Sequence, residues 1–575
     1  MIKYPFCISV LILLALGGFF LGFSGSVDDA HITFWVAQSL TTNGEILNYN
    51  FERVEQSSAL LQVLLLALLH SVSKVSVIAL GHITTVLAAI ATLCYAAKMT
   101  QRISPALASE KLMAVTASSC TTLLLLATSP FFVYWSFSGM EGPLLALLLV
   151  LLLLVLDSWL RENQSLAMVV FLSPAVQMTR PEMPIVLCVF AFMLFPARAI
   201  LKVSIWRWKS LALFLLIQIF CAGLLITWRW WYFGDVAPQP VSAKVDDAFF
   251  ASLQQGLQYA QQTLLDSRLL LFTALTSIGV LLVLLRWREP LVVMVVLLLL
   301  VYSAFVVVSG GDWMAAGRFW VPIFPLTAVL VSIVLHRLFV STVLRNGLLC
   351  LIIVGNVLYL WRGTAIDFNG VPLWKKTKLV DIDQAENFSF FERHAREHLH
   401  DIPTIAYVKP LMEKLLSMRS AQGNLMPVNV MAGQMGMVPF YLAQDLGKQL
   451  HFFDRNGITE RTLTHCQPAA QLPRTRNGIG TGYEWIIENK VELESQCGFV
   501  MPDVIFDIET GWNRRNIAAL EQAGYVFVYR QRGHIFDESQ DALLPLRKIG
   551  AGQFIAVSNS VWQQLGQPAP VERNF

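Results

Sequence analysis

Eleven apolar stretches punctuate the first 361 residues: 5–23, 75–98, 112–128, 142–157, 165–178, 183–199, 210–228, 267–285, 290–308, 319–338 and 345–361. A bilayer core needs about 20 apolar residues in helical form to be crossed. The stretches therefore predict about eleven transmembrane helices, the shorter ones tilted or extended into the interface. Continuous apolar runs have little choice of backbone in lipid, because their N–H and C=O groups must be satisfied inside the helix. Composition agrees: 55% of the 575 residues are hydrophobic and 14% are charged, against about 25% charged in soluble domains. A net charge of +3 gives no reason to expect a nucleic-acid partner. The first stretch is expected to stay as a span, since Gly25-Ser26-Val27-Asp28 makes a poor cleavage site.

The loops alternate in charge. Lys98, Arg102 and Lys111 fall in one loop, and Arg161, Arg198, Lys202, Arg207, Lys209, Arg286, Arg288, His336, Arg337 and Arg345 in later loops of the same parity. Basic residues collect on the cytoplasmic side. The other parity holds 24–58, 129–141, 179–182, 229–266, 309–318 and everything after 362, which places these segments outside, in the periplasm of a Gram-negative cell. Residues 59–69 are apolar but too short to span, and counting them as a span would break the parity. They are expected to form a re-entrant or interfacial helix.

Residues 1–361 thus read as a membrane module and 362–575 as a soluble α/β domain outside the cytoplasm. In the latter, Thr404–Val408, Val428–Met431, Pro502–Phe506 and Tyr525–Tyr529 read as strands, with helices near 383–399, 411–419 and 513–523. Gly433-Gln-Met-Gly436 marks a strand-to-turn transition; as a nucleotide fingerprint it lacks the third glycine. Cys466 and Cys497 are the only cysteines of this polar third, and outside the cytoplasm they are expected to form a disulfide. The other six cysteines lie in apolar stretches and read as small core residues.

The polar residues that a membrane chain has no packing use for all fall on the outer loops. Asp28, Asp29 and His31 follow the first span, with Glu52, Arg53 and Glu55 further along. Tyr134, Trp135, Ser138, Gly139 and Glu141 make the second loop, and Arg180, Pro181 and Glu182 the third. Arg229, Tyr232, Gly234, Asp235, Pro238, Gln239 and Lys244 lie on the fourth; Gly310, Gly311, Asp312, Trp313 and Arg318 on the fifth. Ionisable groups at membrane depth are costly and mark function. The plain alternative is that Asp28 and Asp29 cap the helix starting near Ala30, that Arg180 and Glu182 form a simple salt bridge, and that Arg229 and Arg318 snorkel to the interface. Trp228, Trp230 and Trp231 read as aromatic-belt residues.

Five of these motifs resemble one family. Asp28-Asp29-Ala-His-Ile-Thr-Phe is similar to the Asp-Asp-Ala-Phe-Ile-Ser-Phe signature of bacterial GT-C glycosyltransferases, and most of all to the mycobacterial terminal arabinofuranosyltransferases and their proteobacterial relatives. Ser138-Gly139-Met140-Glu141 resembles that group's Ser-Gly-Leu-Glu, and Arg180-Pro181-Glu182 its Arg-Pro-Glu turn. Tyr232-Phe233-Gly234-Asp235-Val-Ala-Pro238-Gln239 with Ala243-Lys244-Val245 resembles Tyr-Tyr-Gly-Asp-Leu-Leu-Pro-Asn and Ala-Lys-Val. Gly310-Gly311-Asp312-Trp313-Met314 resembles Gly-Gly-Asp-Trp-Met. The likeness covers residues 28 to 325, and Phe51–Ser58 departs from the family by losing an aromatic residue.

The resemblance implies a polytopic GT-C membrane enzyme of a bacterial inner membrane, its active site facing outward. It would take a sugar, arabinofuranose first, from a polyprenyl-phosphate donor and pass it to a surface glycan or pilin-like protein. The chemistry of the residues agrees. An acceptor hydroxyl needs a carboxylate to take its proton; Asp28 is the preferred base and Asp29 the orienting group. A departing lipid phosphate needs cations placed in advance, for which Arg180, Arg229, Lys244 and Arg318 are the candidates. His31, Glu141, Glu182, Tyr232, Asp235, Gln239, Asp312 and Trp313 are expected to line the substrate site. One displacement would invert the anomeric centre. A divalent cation, if used, would sit between Asp28 and Asp29, though nothing in the spacing demands one. The competing readings are a flippase for lipid-linked sugars, which matching broken helices in two halves would favour, and a non-catalytic assembly partner.

Overall fold

A computed structural model describes residues 3–21, 27–107, 112–162, 166–244, 249–265, 269–312, 314, 317–362, 401–423, 425–472, 474–475, 478–509, 514–532, 552–566 and 571–574. Among the described residues, each of the eleven apolar stretches contains a helix. Seven helices are long and apolar enough to cross a membrane: Val77–Ser104, Gly142–Glu162, Met183–Ile200, Trp208–Phe233, Pro290–Val308, Arg318–Leu338 and Thr342–Leu360. An eighth candidate is the pair Ala117–Thr128 and Pro130–Ser136, bent by 63°, with Pro130 at the first position of the second helix, where its missing N–H costs nothing. Tyr4–Gly17, Leu60–Ser73, Leu166–Thr179 and Leu270–Leu285 are apolar but shorter. The chain is a multi-pass helical membrane protein with a C-terminal α/β region.

The helices separate two polar ends. Helix Gly142–Glu162 spans 21 residues, about 30 Å at 1.5 Å per residue. Just before it, Glu141 bonds Arg180 at 2.5 Å. At its far end Asp157 pairs with Arg102 and with Arg161, each at 2.6 Å, and Arg161 also meets Glu289. The basic loops thus knit together one end of the bundle, away from the Asp-, Arg- and Lys-bearing loops.

The C-terminal region forms a six-stranded sheet and a small ribbon. The strands are β1 (Val428–Ala432), β2 (Leu450–Asp454), β3 (Arg474–Thr475), β4 (Gly478–Ile479), β5 (Val504–Glu509), β6 (Tyr525–Arg532), β7 (Gly552–Ser558) and β8 (Val571–Asn574). The sheet order is β2-β1-β5-β7-β6-β8, with β3 and β4 making the ribbon. The β1–β2, β1–β5 and β6–β8 pairs are parallel, while β7 runs antiparallel to both neighbours. Cys466 and Cys497 are joined in a disulfide, their Cα atoms 5.4 Å apart.

One expected strand is a helix. Thr404–Val408 lies inside helix Asp401–Ala421. The alternation of Ile405 and Tyr407 imitates a strand, but Val408, Met412 and Leu415 continue at helical spacing and are all fully buried. Burial of that stripe outweighs local pattern and the internal Pro410. The helix expected near 383–399 lies outside the described residues.

Candidate active site

Asp28 and Asp29 form the first turn of helix Asp28–Asn43, after Val27 at the cap position. No side chain caps this helix, so neither carboxylate serves its own helix in the way the capping alternative requires. Val27 N–H reaches Ser138 O at 3.4 Å, and Gln62 Nε2 donates to Gly139 O at 2.8 Å. The short helix Leu60–Ser73 therefore braces the Ser138–Glu141 turn against the start of the Asp28 helix.

The two carboxylates face different neighbours. Asp28 is buried, and its Oδ1 accepts the N–H of Met437 at 2.6 Å. Burial first, and then the charge of Asp29, raise its proton affinity to about 7, against the pull of the Met437 and Gly436 N–H groups. Asp29 keeps 25% of its side chain exposed and sits 3.4 Å from Arg318. Arg318 also pairs with Asp312, Nε to Oδ2 at 2.6 Å and NH2 to Oδ1 at 3.1 Å. The Gly310-Gly311 turn makes this possible. Both residues have positive φ (87° and 72°), and a Cβ on Gly311 would enter the ring of Tyr259.

Arg180 lies between two carboxylates, with NH1 on Glu141 and Nε on Glu182, both at 2.5 Å and all three side chains buried. Its guanidinium stacks 4.6 Å from the centre of the Phe319 ring, and Arg318 lies 5.4 Å from the same centre. One ring thus holds two arginines at one site. Lys244, at the end of helix Gln239–Lys244, feels the attraction of Asp29 and Asp312 and the repulsion of Arg318 and Arg180. Burial lowers its proton affinity, and its Nζ has no ion-pair or hydrogen-bond partner among the described residues. Tyr302, whose buried hydroxyl has no hydrogen-bond partner among the described residues, and Tyr259, whose hydroxyl accepts Phe319 N–H at 3.4 Å, belong to the same neighbourhood. Neither was singled out from sequence, because both lie in helices whose pattern reads as packing.

The structure commits four expected site residues elsewhere. Arg229 gives both Nε and NH2 to Glu55, at 2.8 and 3.1 Å, with both groups buried. That bidentate pair engages the Nε and NH2 side of its guanidinium and neutralises its charge. The Tyr232 hydroxyl accepts Ile46 N–H at 3.0 Å, and its ring stacks on Trp228. Asp235 pairs with Arg461. Gln239 Nε2 shares its two hydrogens among Gly457 O, Glu460 O and Thr464 Oγ1, which lie at 2.8, 2.9 and 2.6 Å. Asp235 and Gln239 thus tie the membrane helices to the α/β region. His31 is buried against Phe34, Phe440 and Tyr441. Burial lowers its proton affinity to about 4, so it stays neutral and adds no cation. Trp313 lies outside the described residues.

A divalent cation finds a poor set of ligands here. Asp28 already spends one oxygen on a backbone N–H, Asp29 faces a guanidinium, and no third carboxylate, His or Cys joins them among the described residues.

No protein-family profile matches the chain, and no curated protein is similar to it in sequence. Its architecture is similar to that of ArnT from Cupriavidus metallidurans. The apo crystal structure matches with a TM-score of 0.50 and 11% identity, over 96% of this chain and 98% of that one. The structure bound to undecaprenyl phosphate gives 0.52 and 10% over the same shares. The archaeal oligosaccharyltransferase AglB from Archaeoglobus fulgidus, in complex with an inhibitory peptide and a dolichol-phosphate, matches at 0.49 and 10%, over 95% of this chain and 75% of that one. The likeness to ArnT defines a fold: a GT-C architecture of membrane helices followed by an α/β region.

Proposed function

We propose that the chain is a membrane glycosyltransferase that moves a sugar from a polyprenyl-phosphate donor to an acceptor hydroxyl. The observation that carries this reading is the meeting of the Asp28–Asp29 pair with Arg318, Lys244 and Arg180 at one end of the bundle. A carboxylate pair beside a lysine that has no partner among the described residues suits a reaction that takes a proton from one partner and leaves charge on the other. The ArnT fold, seen elsewhere with undecaprenyl phosphate bound, supports a lipid-phosphate donor.

Asp28 takes the proton of the acceptor hydroxyl, its raised affinity bringing it close to the working pH of a general base. Asp29, held by Arg318, orients that hydroxyl. The acceptor oxygen attacks the anomeric carbon as the bond to the phosphate oxygen breaks, inverting that centre. Lys244 and Arg318 take up the developing negative charge. Arg180, already balanced by Glu141 and Glu182, contributes less. Lys244 is the main phosphate cation because a bound phosphate would supply a partner that it lacks among the described residues.

The motif likeness favours arabinofuranose as the sugar and a surface glycan or pilin-like protein as the acceptor. It also favours an inner-membrane enzyme in which residues 362–575 and the site face the periplasm. Incubating the purified protein with a radiolabelled polyprenyl-phosphate pentose and envelope acceptors tests the reading. Labelled acceptor and free polyprenyl phosphate should appear with the wild type and not with Asp28→Asn.

A further inference from the structure

We propose that the α/β region completes the active site: the backbone N–H of Met437 is a positioning group that fixes the carboxylate of Asp28. This rests on Asp28 being the base. The sheet explains how the group gets there. From β1 the chain returns through helix Met437–Leu446 to β2 on one side, while β5 pairs with the other side of β1. The crevice at the carboxyl ends of β1 and β5 is a topological switch point, where α/β sheets usually take ligands. Here the chain fills it with its own groups. Arg455 bonds Asp507 at 2.9 Å and Thr481 O at 2.8 Å, Tyr483 bonds Asp507 at 2.7 Å, and Asn456 donates to Gly433 O at 2.6 Å. The loop 433–436 lies at this end of the sheet and reaches the membrane module through Gly436.

The contact is close and directional. Met437 is the first residue of its helix, so its N–H has no partner within that helix. Asp28 Oδ1 is its partner. A Cβ on Gly436 would run into both the carboxylate and the carbonyl oxygen of Asp28, so only glycine lets the loop approach. The Tyr49 hydroxyl donates to Gly436 O at 3.1 Å, and His31 packs against Phe440 and Tyr441 one turn further along. Asn50 exchanges two hydrogen bonds with Phe452, at 2.9 and 2.7 Å, which keys the first outer loop to β2. The titratable groups around Asp28 are Asp29 and His31 on its own helix, Tyr49 from the loop that follows, His82 beyond His31, and Arg318 through Asp29. Helix Met437–Leu446 adds Tyr441, which stays neutral. What it brings to Asp28 itself is an N–H.

The test uses full-length protein in nanodiscs and the rate of sugar transfer as a function of pH. Met437→Pro deletes the N–H at a helix position where proline is well tolerated. It should lower kcat at least about tenfold and move the acid limb of the profile up by about one pH unit, as expected when a charge-assisted hydrogen bond to the carboxylate is lost. The KM for the donor should change little. Met437→Ala, which keeps the N–H, should return the acid limb to its wild-type position. Gly436→Ala, which pushes the loop off Asp28, should reproduce the proline phenotype. A Met437→Pro enzyme with the wild-type kcat and acid limb overturns the proposal. So does an equal shift in Met437→Ala. If Met437→Pro does not fold, an unshifted acid limb in Gly436→Ala overturns it instead. Asp28→Asn with full activity would instead overturn the assignment of Asp28 as base.

Discussion

The N–H of Met437 donates to the carboxylate of Asp28 at 2.6 Å, joining residues 409 positions apart. It places a group of the α/β region against the carboxylate on which the proposed chemistry turns. Since Asp28 is buried and beside Asp29, its proton affinity rises to about 7.

Transfer should therefore lose activity as pH falls through about 7, because the base must be unprotonated. Stability runs the other way. The folded-state proton affinity of Asp28 lies above its unfolded value of 3.8, so its burial favours the folded state most at low pH, and that advantage is lost as pH rises toward about 7. Asp28→Asn should gain thermal stability relative to the wild type at pH 8 and less so at pH 5. Thermal unfolding of both proteins at the two pH values checks this; equal differences at both would contradict it.

Lys244→Met should lower kcat by about 10²-fold or more, as expected when a cation that stabilises developing charge is removed. The same variant should bind polyprenyl phosphate more weakly, as measured by competition with labelled donor. Unchanged product affinity would move the phosphate site away from Lys244.

Arg229 and Glu55 are buried partners, and removing one leaves the other charged without compensation. Arg229→Met should destabilise the protein by about 3–5 kcal/mol with little effect on donor affinity in the fraction that folds. The double variant Arg229→Met, Glu55→Leu should recover most of that loss. A selective loss of donor binding would return Arg229 to the phosphate site.

The disulfide closes a loop of 31 residues. Cys466→Ser with Cys497→Ser should cost about 3–4 kcal/mol by the loop-entropy estimate. Thermal unfolding with and without reductant reads this directly; a reductant-insensitive wild type would count against it.

The membrane half was largely legible. Apolar length marks the helical stretches and loop charge sorts the loops into two sets; Asp28, Asp29, Arg180, Lys244, Asp312 and Arg318 lie near one another at the end of the bundle away from the basic loops. What stayed hidden was pairing at long range. Arg229 and Arg318 look alike in sequence as arginines at helix ends. Only the fold shows that one pairs with Glu55, 174 positions away, while the other pairs with Asp312 and reaches Asp29. Tyr232 ends helix Trp208–Phe233, Asp235 lies in the turn after it and Gln239 begins helix Gln239–Lys244; Asp235 and Gln239 serve the junction with the α/β region. The strand expected at Thr404–Val408 failed because five residues of alternation are too short to outweigh a longer buried helical stripe. Gly436 carried a turn signal, yet its need to be glycine comes from Asp28, which local sequence cannot show.

The central claim is tested most directly by purified protein, a polyprenyl-phosphate-linked sugar donor and an envelope acceptor, with released polyprenyl phosphate and glycosylated acceptor measured together. The account predicts both products in equal amounts with the wild type, and rates at least about 10²-fold lower with Asp28→Asn. A protein carrying both Asp28→Asn and Asp29→Asn that still transfers sugar at the wild-type rate would contradict it.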